Sequence, residues 1–471
     1  MDLTSRLRAI VQGGPPKPGP RPDDDHRPGH PPIRELTREP DTGGYEAVID
    51  VADVARVGAI LGGRLADTAF GQCVVIDRRY EADRLHGTIR IGDCEIEDCD
   101  GLGILDPSLA YSRPCPRTIF IDLETTGLSG GAGTVAFLVG CGYFDLGAFQ
   151  VRQFLLTSFT SERALLAAVA EFFSGADLIV TYNGKTFDVP VMETRWLFHR
   201  LEMPLGGVPH FDMLHPARRL WRMRAGSAGD IEDSGCGLTT LERTLFNVTR
   251  VGDVPGVEIP GRFFKFLRSG DPRPLEPVLE HNRLDLVSLA AVMARAVHLA
   301  REGQTACRDC AEALALGRVF ERAGGDDRFH GRASALTRAE ACYTRAAESR
   351  AADVKGEALY RLGIRYRRER RFAEAAAIWR EVIELTESRG VRRVGALGEL
   401  RQLAAEALAI HHEHRERDLT GARELALFAL QEAGGRRADG MRHRLARLDR
   451  KICRTMTPKS AKKTDAQLFS S

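Results

Sequence analysis

The sequence predicts an α/β protein: a mixed sheet flanked by helices, followed by an all-α helical domain. Three observations carry this expectation. Between Cys115 and about Arg301, strand-length apolar runs give way to segments with helical spacing. From about 302 to 450 the chain carries almost no Pro, is rich in Ala, Leu, Arg and Glu, and keeps helical spacing throughout. At 471 residues it is too long for one ordinary core, so two or three domains are expected.

Composition narrows the class. Hydrophobic residues at 43% and charged residues at 28% are those of a soluble globular protein. The formal net charge is only +2, from 67 basic against 65 acidic residues, so a polyanionic partner must be met by a local patch. No apolar run approaches the roughly 18 to 20 residues of a membrane span, and MDLTSRLRAIVQGG lacks the apolar centre of a secretory signal. Ten scattered cysteines make no disulfide scaffold. A cytoplasmic protein with reduced thiols and no membrane contact is the expectation.

Residues 1–44 contain GGPPKPGPRPDDDHRPGHPPIREL and read as a disordered Pro/Gly-rich tail. Residues 45–114, with runs such as VIDVADV and QCVVIDRRY, read as a small β-containing segment without legible chemistry. Strands are predicted at 117–123 (RTIFIDL), 134–144 (TVAFLVGCGYF), 149–156 (FQVRQFLL) and 177–183 (DLIVTYN). Between the last two, SERALLAAVAEFF has helical spacing behind a Ser161 start signal. Three strands in tandem, then helix and strand, imply a mixed sheet covered by helices over 115–301.

In the C-terminal third, ALYRLGIRYRRERRFAEAAAIWREVIEL (358–385) places Leu359, Leu362, Gly363, Tyr366, Ala375 and Trp379 at the positions of a tetratricopeptide repeat, which it resembles. Weaker copies run from Leu316 through AEACYTRAAE and from Leu403 to Ala429. The expectation for 302–450 is a short solenoid, with an irregular helical domain as the plainer alternative. Residues 451–471 read as a basic flexible tail.

The chemistry concentrates in FIDLETTGL (120–128). Asp122 and Glu124 stand two apart in a strand, so they share a face about 6 to 7 Å apart. Two neighbouring carboxylates in apolar surroundings are tolerable only if a cation shares the site or one takes up a proton. A bland alternative is an exposed strand end capping a turn. Further along stand YNGKTFDVP (182–190), where Asp188 opens a helix with Pro190 in its first turn, and EHNRLDLVSL (280–289), inside an amphipathic helix reaching about Arg301.

Asp-x-Glu, then Asn-x-x-x-Phe-Asp, then His or an aromatic one turn before Asp resembles the three exonuclease motifs of the DEDD (DnaQ-like) 3′–5′ exonuclease superfamily on a ribonuclease-H-like fold. The closer resemblance is to the bacterial YprB-type ribonuclease-H-like domain followed by helical repeats, through DLETTGL, TYNGKTFDVP, HFDMLHPARRLW and EHNRLDLVSL. It implies a metal-dependent exonuclease acting on nucleic acid, 3′ to 5′, with DNA favoured over RNA, and two Mg²⁺ or Mn²⁺ ions held by Asp122, Glu124, Asp188 and Asp285. Asp122 would bridge both ions, Glu124 and Asp285 would help hold the ion that activates water, and Asp188 would support the second. Hard divalent ions prefer such oxygen ligands. The resemblance also points to Thr125, Asn183 and Lys185 as substrate-binding positions.

His281 departs from the superfamily, which carries Tyr four residues before the last Asp or His five before it. Here His stands at the tyrosine's spacing. On a helix, i and i+4 share a face, so His281 can serve the site as general base, or be a structural histidine. Two other functions compete: a catalytically inactive nucleic-acid-binding or scaffold module, and a proofreading subunit.

Other signals are weaker. Gly184-Lys185-Thr186 lacks the first glycine of a phosphate loop, because Ile179 stands there, and 131–136 is read as a hairpin loop rather than a dinucleotide fingerprint. Cys307 and Cys310 read as packed helix thiols, and His411, His412 and His414 as a solvated helix end. His210 and Asp212 are candidates to support the site or to end a strand. Lys185, Arg218, Arg219, Arg222 and the arginine-dense RYRRERR (365–371) are candidates for phosphate contact or plain solvated surface. A helical solenoid usually binds protein, and a helicase is one partner that would suit a nuclease.

Overall fold

In the computed structural model, residues 51–96, 101–109, 117–127, 133–222, 235–388, 396–432 and 435–456 are described. The expected tails at 1–44 and beyond 456, and most of the 128–133 loop, lie outside them. The chain begins with helix α1 (Val51–Ile60) and strands β1 (Arg64–Thr68), β2 (Gly71–Tyr80), β3 (Leu85–His86) and β4 (Ile89–Arg90), then the short helix α2 (Leu102–Leu105). Strands β5 (Thr118–Thr125), β6 (Ala136–Asp145) and β7 (Ala148–Leu155) follow, then α3 (Glu162–Phe173), β8 (Leu178–Thr181), α4 (Asp188–Phe198) and β9 (His210–Asp212). Helices α5 (Leu214–Trp221), α6 (Leu238–Phe246), α7 (Ile259–Ser269) and α8 (Glu276–Glu302) complete this part.

The seven-stranded sheet has the order β1-β2-β7-β6-β5-β8-β9. β5 lies between antiparallel β6 and parallel β8, so the sheet is mixed, as expected. The four predicted strands and the helix behind Ser161 fall where their patterns place them. The N-terminal segment differs: β2 pairs antiparallel with β7 along its length, Ile76 opposite Gln153, so β1 and β2 extend the main sheet. Strand pairing between residues so distant in sequence leaves no local signal.

Each sheet face is buried. Ile119, Ile121, Leu123, Val74, Ile76 and Ile179 pack beneath α1, α3, α4 and α7. On the opposite face Phe120, Val151, Val180 and Phe211 meet the long α8. The core on that second face does not stop at 301. It runs through Leu286, Leu289 and Val297 into Leu314, Val319, Phe320 and Tyr343 of the helices beyond.

Those helices are α9 (Cys310–Gly324), α10 (Arg332–Ala347), α11 (Ala352–Arg368), α12 (Phe372–Ser388), α13 (Ala396–His411), α14 (Leu419–Glu432) and α15 (Gly435–Met456). Consecutive members pack on one another, and a π turn at His412–Glu416 separates α13 from α14. Gly363 of α11 lies against the Trp379 indole, where a Cβ would overlap the ring, so glycine there permits a close approach of the two helices. α15 continues to Met456, into the stretch expected as a flexible tail. Among the described residues no helix is long and apolar enough to cross a membrane.

Candidate active site

β5 carries the first pair. Its burial alternates, with Ile121, Leu123 and Thr125 turned into the core and Asp122 and Glu124 half-buried on the other face. The pairing register shifts between Glu124 and Thr125, ending the strand just beyond the pair. Asp188 is the first residue of α4, where the helix N-terminus favours an anion. Asp285 and His281 lie one turn apart on α8, which packs against β5.

These carboxylates are brought within electrostatic reach of one another. Burial holds the Asp122 carboxyl well above its ordinary range, and the charges of Asp285, Glu124 and Asp188 push it further, against a hydrogen bond from Asn282. Burial does the same to Glu124, reinforced by Asp285, Asp188 and Asp253. Asp188 is pushed up to about 7, by burial and then by Asp212. Asp285 is also raised by burial, although Arg250 and His281 oppose it. Such a cluster of desolvated anions is short of positive charge. Its all-oxygen donor set fits hard divalent ions. Among the described residues no three His, Cys, Asp or Glu side chains are drawn into a ready-made metal shell. Two of the four carboxylates are instead engaged by side-chain donors, and Asp188 accepts from the Leu123 backbone.

Asn282 Nδ2 donates to Asp122 Oδ2 at 2.7 Å and to the Asp122 carbonyl at 3.1 Å, while its Oδ1 accepts from the buried Gln153 at 2.8 Å. Gly140, opposite Asp122 in the register, leaves the space for this amide, which a Cβ would fill. Arg250 Nη2 donates to Asp285 Oδ1 at 2.6 Å and holds Glu242 through two further bonds of 2.7 and 2.9 Å. His281 Nδ1 lies 2.7 Å from Asp253 Oδ1, and its Nε2 lies 3.5 Å from Asp285 Oδ2.

Asn282, Gln153, Gly140, Glu242, Arg250 and Asp253 were all missed in the sequence. Asn282 offered a signal, a polar residue on the apolar face of α8 beside His281. The others become partners only through folding.

The remaining predicted residues are placed less directly. The Thr125 hydroxyl donates to the Gly127 carbonyl at 2.8 Å. Asn183 is left-handed with φ of 69°, and its side-chain oxygen accepts from Thr186. The Lys185 ammonium pairs with Asp106 at 3.3 Å. The buried Asp212 accepts from the backbone N–H groups of Asn183, Lys185 and Leu214 at 2.8, 3.0 and 3.0 Å, shaping the loop that delivers Asp188. His210, in the three-residue strand β9, bonds Thr181 at 2.7 Å and is pushed down to about 4, chiefly by burial.

Outside the site the weaker signals resolve plainly. Burial pushes the Cys307 thiol up to about 11, and Cys307 and Cys310 are free. His411 and His412 share Glu416, His412 also meets Asp418, and His414 faces Glu413; His411 is buried, so this helix end is less solvated than expected. In RYRRERR, Arg365 and Arg371 both pair with Glu340, so much of that charge is spent within the protein.

Comparison with known proteins agrees with the topology. Residues 119–297 match the RNase_H superfamily, a span running from β5 into α8. The architecture is that of a ribonuclease-H-like mixed sheet with flanking helices, followed by a helical region. The chain is also 28% identical over 392 residues to a Bacillus subtilis (strain 168) protein named "Uncharacterized protein YprB", covering 80% of this chain and 86% of that one.

Proposed function

We propose that this protein is a metal-dependent exonuclease that hydrolyses phosphodiester bonds of nucleic acid, 3′ to 5′, with DNA preferred over RNA. The observation that carries the reading is the convergence of Asp122, Glu124, Asp188 and Asp285 in one desolvated, mutually repelling cluster. Two divalent ions, Mg²⁺ or Mn²⁺, when bound there supply activation of the attacking water and stabilisation of charge on the attacking and leaving oxygens. Asp122, Glu124, Asp188 and Asp285 would hold these ions through their carboxylate oxygens. His281 accepts the water's proton, and the Lys185 ammonium, exchanging Asp106 for a phosphate, helps orient the strand. A likeness to the DEDD subgroup, rather than to ribonucleases H at large, supports the exonuclease assignment through motif spacing.

The helical region, read as tetratricopeptide-like, would serve a protein partner such as a helicase in a cytoplasmic nucleic-acid-processing complex. A second reading, an inactive binding module or scaffold on the same fold, draws on one feature: Arg250 already neutralises Asp285. End-labelled single- and double-stranded DNA and RNA, incubated with and without Mn²⁺, separate the two. Shortening of the strand from its 3′ end only with the metal supports the exonuclease. Binding without cleavage under every condition supports the module.

A further inference from the structure

The loop between α6 and α7 sends two side chains, Arg250 and Asp253, to the two site residues on α8. We infer that Asp253 and Arg250 are positioning residues that set the orientation of His281 and Asp285, an inference that rests on the proposed role of His281. Asp253 Oδ1 accepts from the Val254 N–H at 2.9 Å and faces His281 Nδ1 at 2.7 Å, while Oδ2 accepts from Arg250 at 3.2 Å. Burial alone would raise the Asp253 carboxyl, but His281 and Arg250 outweigh it and hold it below the ordinary range. An ionised carboxylate only accepts, so the hydrogen of a neutral imidazole is fixed on Nδ1 and the lone pair on Nε2. Nε2 lies on the Asp285 side at 3.5 Å, beyond a tight hydrogen bond, and so remains open to a proton donor in the cluster.

Arg250 does the equivalent for Asp285. Its side chain is 5% exposed, and the guanidinium spans Glu242, Asp253 and Asp285, holding Oδ1 of Asp285 and leaving Oδ2 to the site. Glu242 in turn accepts from the Ser288 hydroxyl, which lies 2.9 Å from His86 Nε2. The chain His86, Ser288, Glu242, Arg250 therefore ties the β3–β4 hairpin of the N-terminal segment to the site. That gives the segment a role which its sequence did not disclose.

The test compares Asp253→Asn, Asp253→Glu and His281→Ala in the full chain. Imidazole nitrogen chemical shifts in metal-free protein report the tautomer, oligonucleotide cleavage gives kcat and KM, and the Mn²⁺-induced rise in Tm reports the metal site. Asp253→Asn, nearly isosteric, is expected to move the His281 hydrogen toward Nε2. It should lower kcat by about 10- to 100-fold with KM and the Mn²⁺ effect retained, because only the base is misdirected. Asp253→Glu should restore part of both. An unchanged tautomer in Asp253→Asn overturns the inference, as does an unchanged kcat in that variant where His281→Ala is impaired. If His281→Ala itself cleaves like the parent, the base assignment fails instead, and the tautomer alone decides whether Asp253 orients the ring.

Discussion

The helices nearest the sheet and those at the far end of the chain share helical periodicity but bury different cores. α9 and α10 contribute Leu314, Val319, Phe320 and Tyr343 to a cluster that also holds Phe120 and Val180 of the sheet. The last three helices bury mainly Ala405, Ala409, Ala422, Ala426 and Ala429 with a few larger residues. They are also pinned by Glu413, whose fully buried carboxylate accepts from Arg444, Arg447 and Lys451 at 2.6 to 2.7 Å. The lesson is that the change of sequence pattern near residue 302 marks a change of architecture and not a break in packing. Periodicity reports which face of a helix is apolar, but not which element covers it.

The largest effect should therefore come from cutting the chain at the two places this contrast separates. Ending it after Arg301 strips the large side chains of α9 and α10 from the face of α8. The fragment is expected to lose cooperative unfolding and to aggregate, judged by calorimetry and gel filtration. Ending it after Ser388 removes only α13 to α15 and their separate small cores, and the remainder should still fold and cleave oligonucleotides. A well-folded 1–301 fragment would dissolve the contrast.

Next in size are the site carboxylates. Asp122→Asn, Glu124→Gln, Asp188→Asn and Asp285→Asn should each lower cleavage by about 10² or more, since misplaced charge forfeits much of the catalysis. Their far-UV spectra should match the parent's. Full activity in any two of them removes the assigned site.

The site should also cost stability when empty of cations. Asp188 has a folded-state value near 7, above its ordinary 3.8, so the folded protein holds a proton there that the unfolded chain releases. The stability this contributes is complete below about pH 4 and is lost as pH rises through about 7. Metal-free protein should therefore become less stable between those values by a few kcal/mol at most, and Asp188→Asn should flatten the profile. Denaturant titrations in a chelating buffer measure it.

The smallest effect belongs to the distal helices. Glu413 is pulled down to about 2 because Lys451 and Arg447 outweigh its burial. Its contribution is present above about pH 4.5 and fades as pH falls toward 2. Glu413→Gln should cost on the order of 1 to 3 kcal/mol at neutral pH, read by urea unfolding, and leave cleavage unchanged.

The sequence carried more of the site than of its supports. Asp122 and Glu124 were legible because a strand has a two-residue period, and Asp285 and His281 because a helix turn is four. β1 and β2 were not assigned to the sheet, since the pairing of β2 with β7 joins residues far apart in the chain. Glu242 looks like an ordinary exposed residue in LTTLERTLF, yet folding buries it under Arg250. β9 was too short for any alternation to register.

The central claim is that the four carboxylates form a divalent-cation site, and calorimetric titration of chelator-treated protein with Mn²⁺ tests it most directly. The parent should bind two ions and gain thermal stability, while the Asp122→Asn/Asp285→Asn double variant should bind none at the same concentrations. Equal binding by both proteins, or none by the parent in the presence of a non-cleavable oligonucleotide, would contradict it.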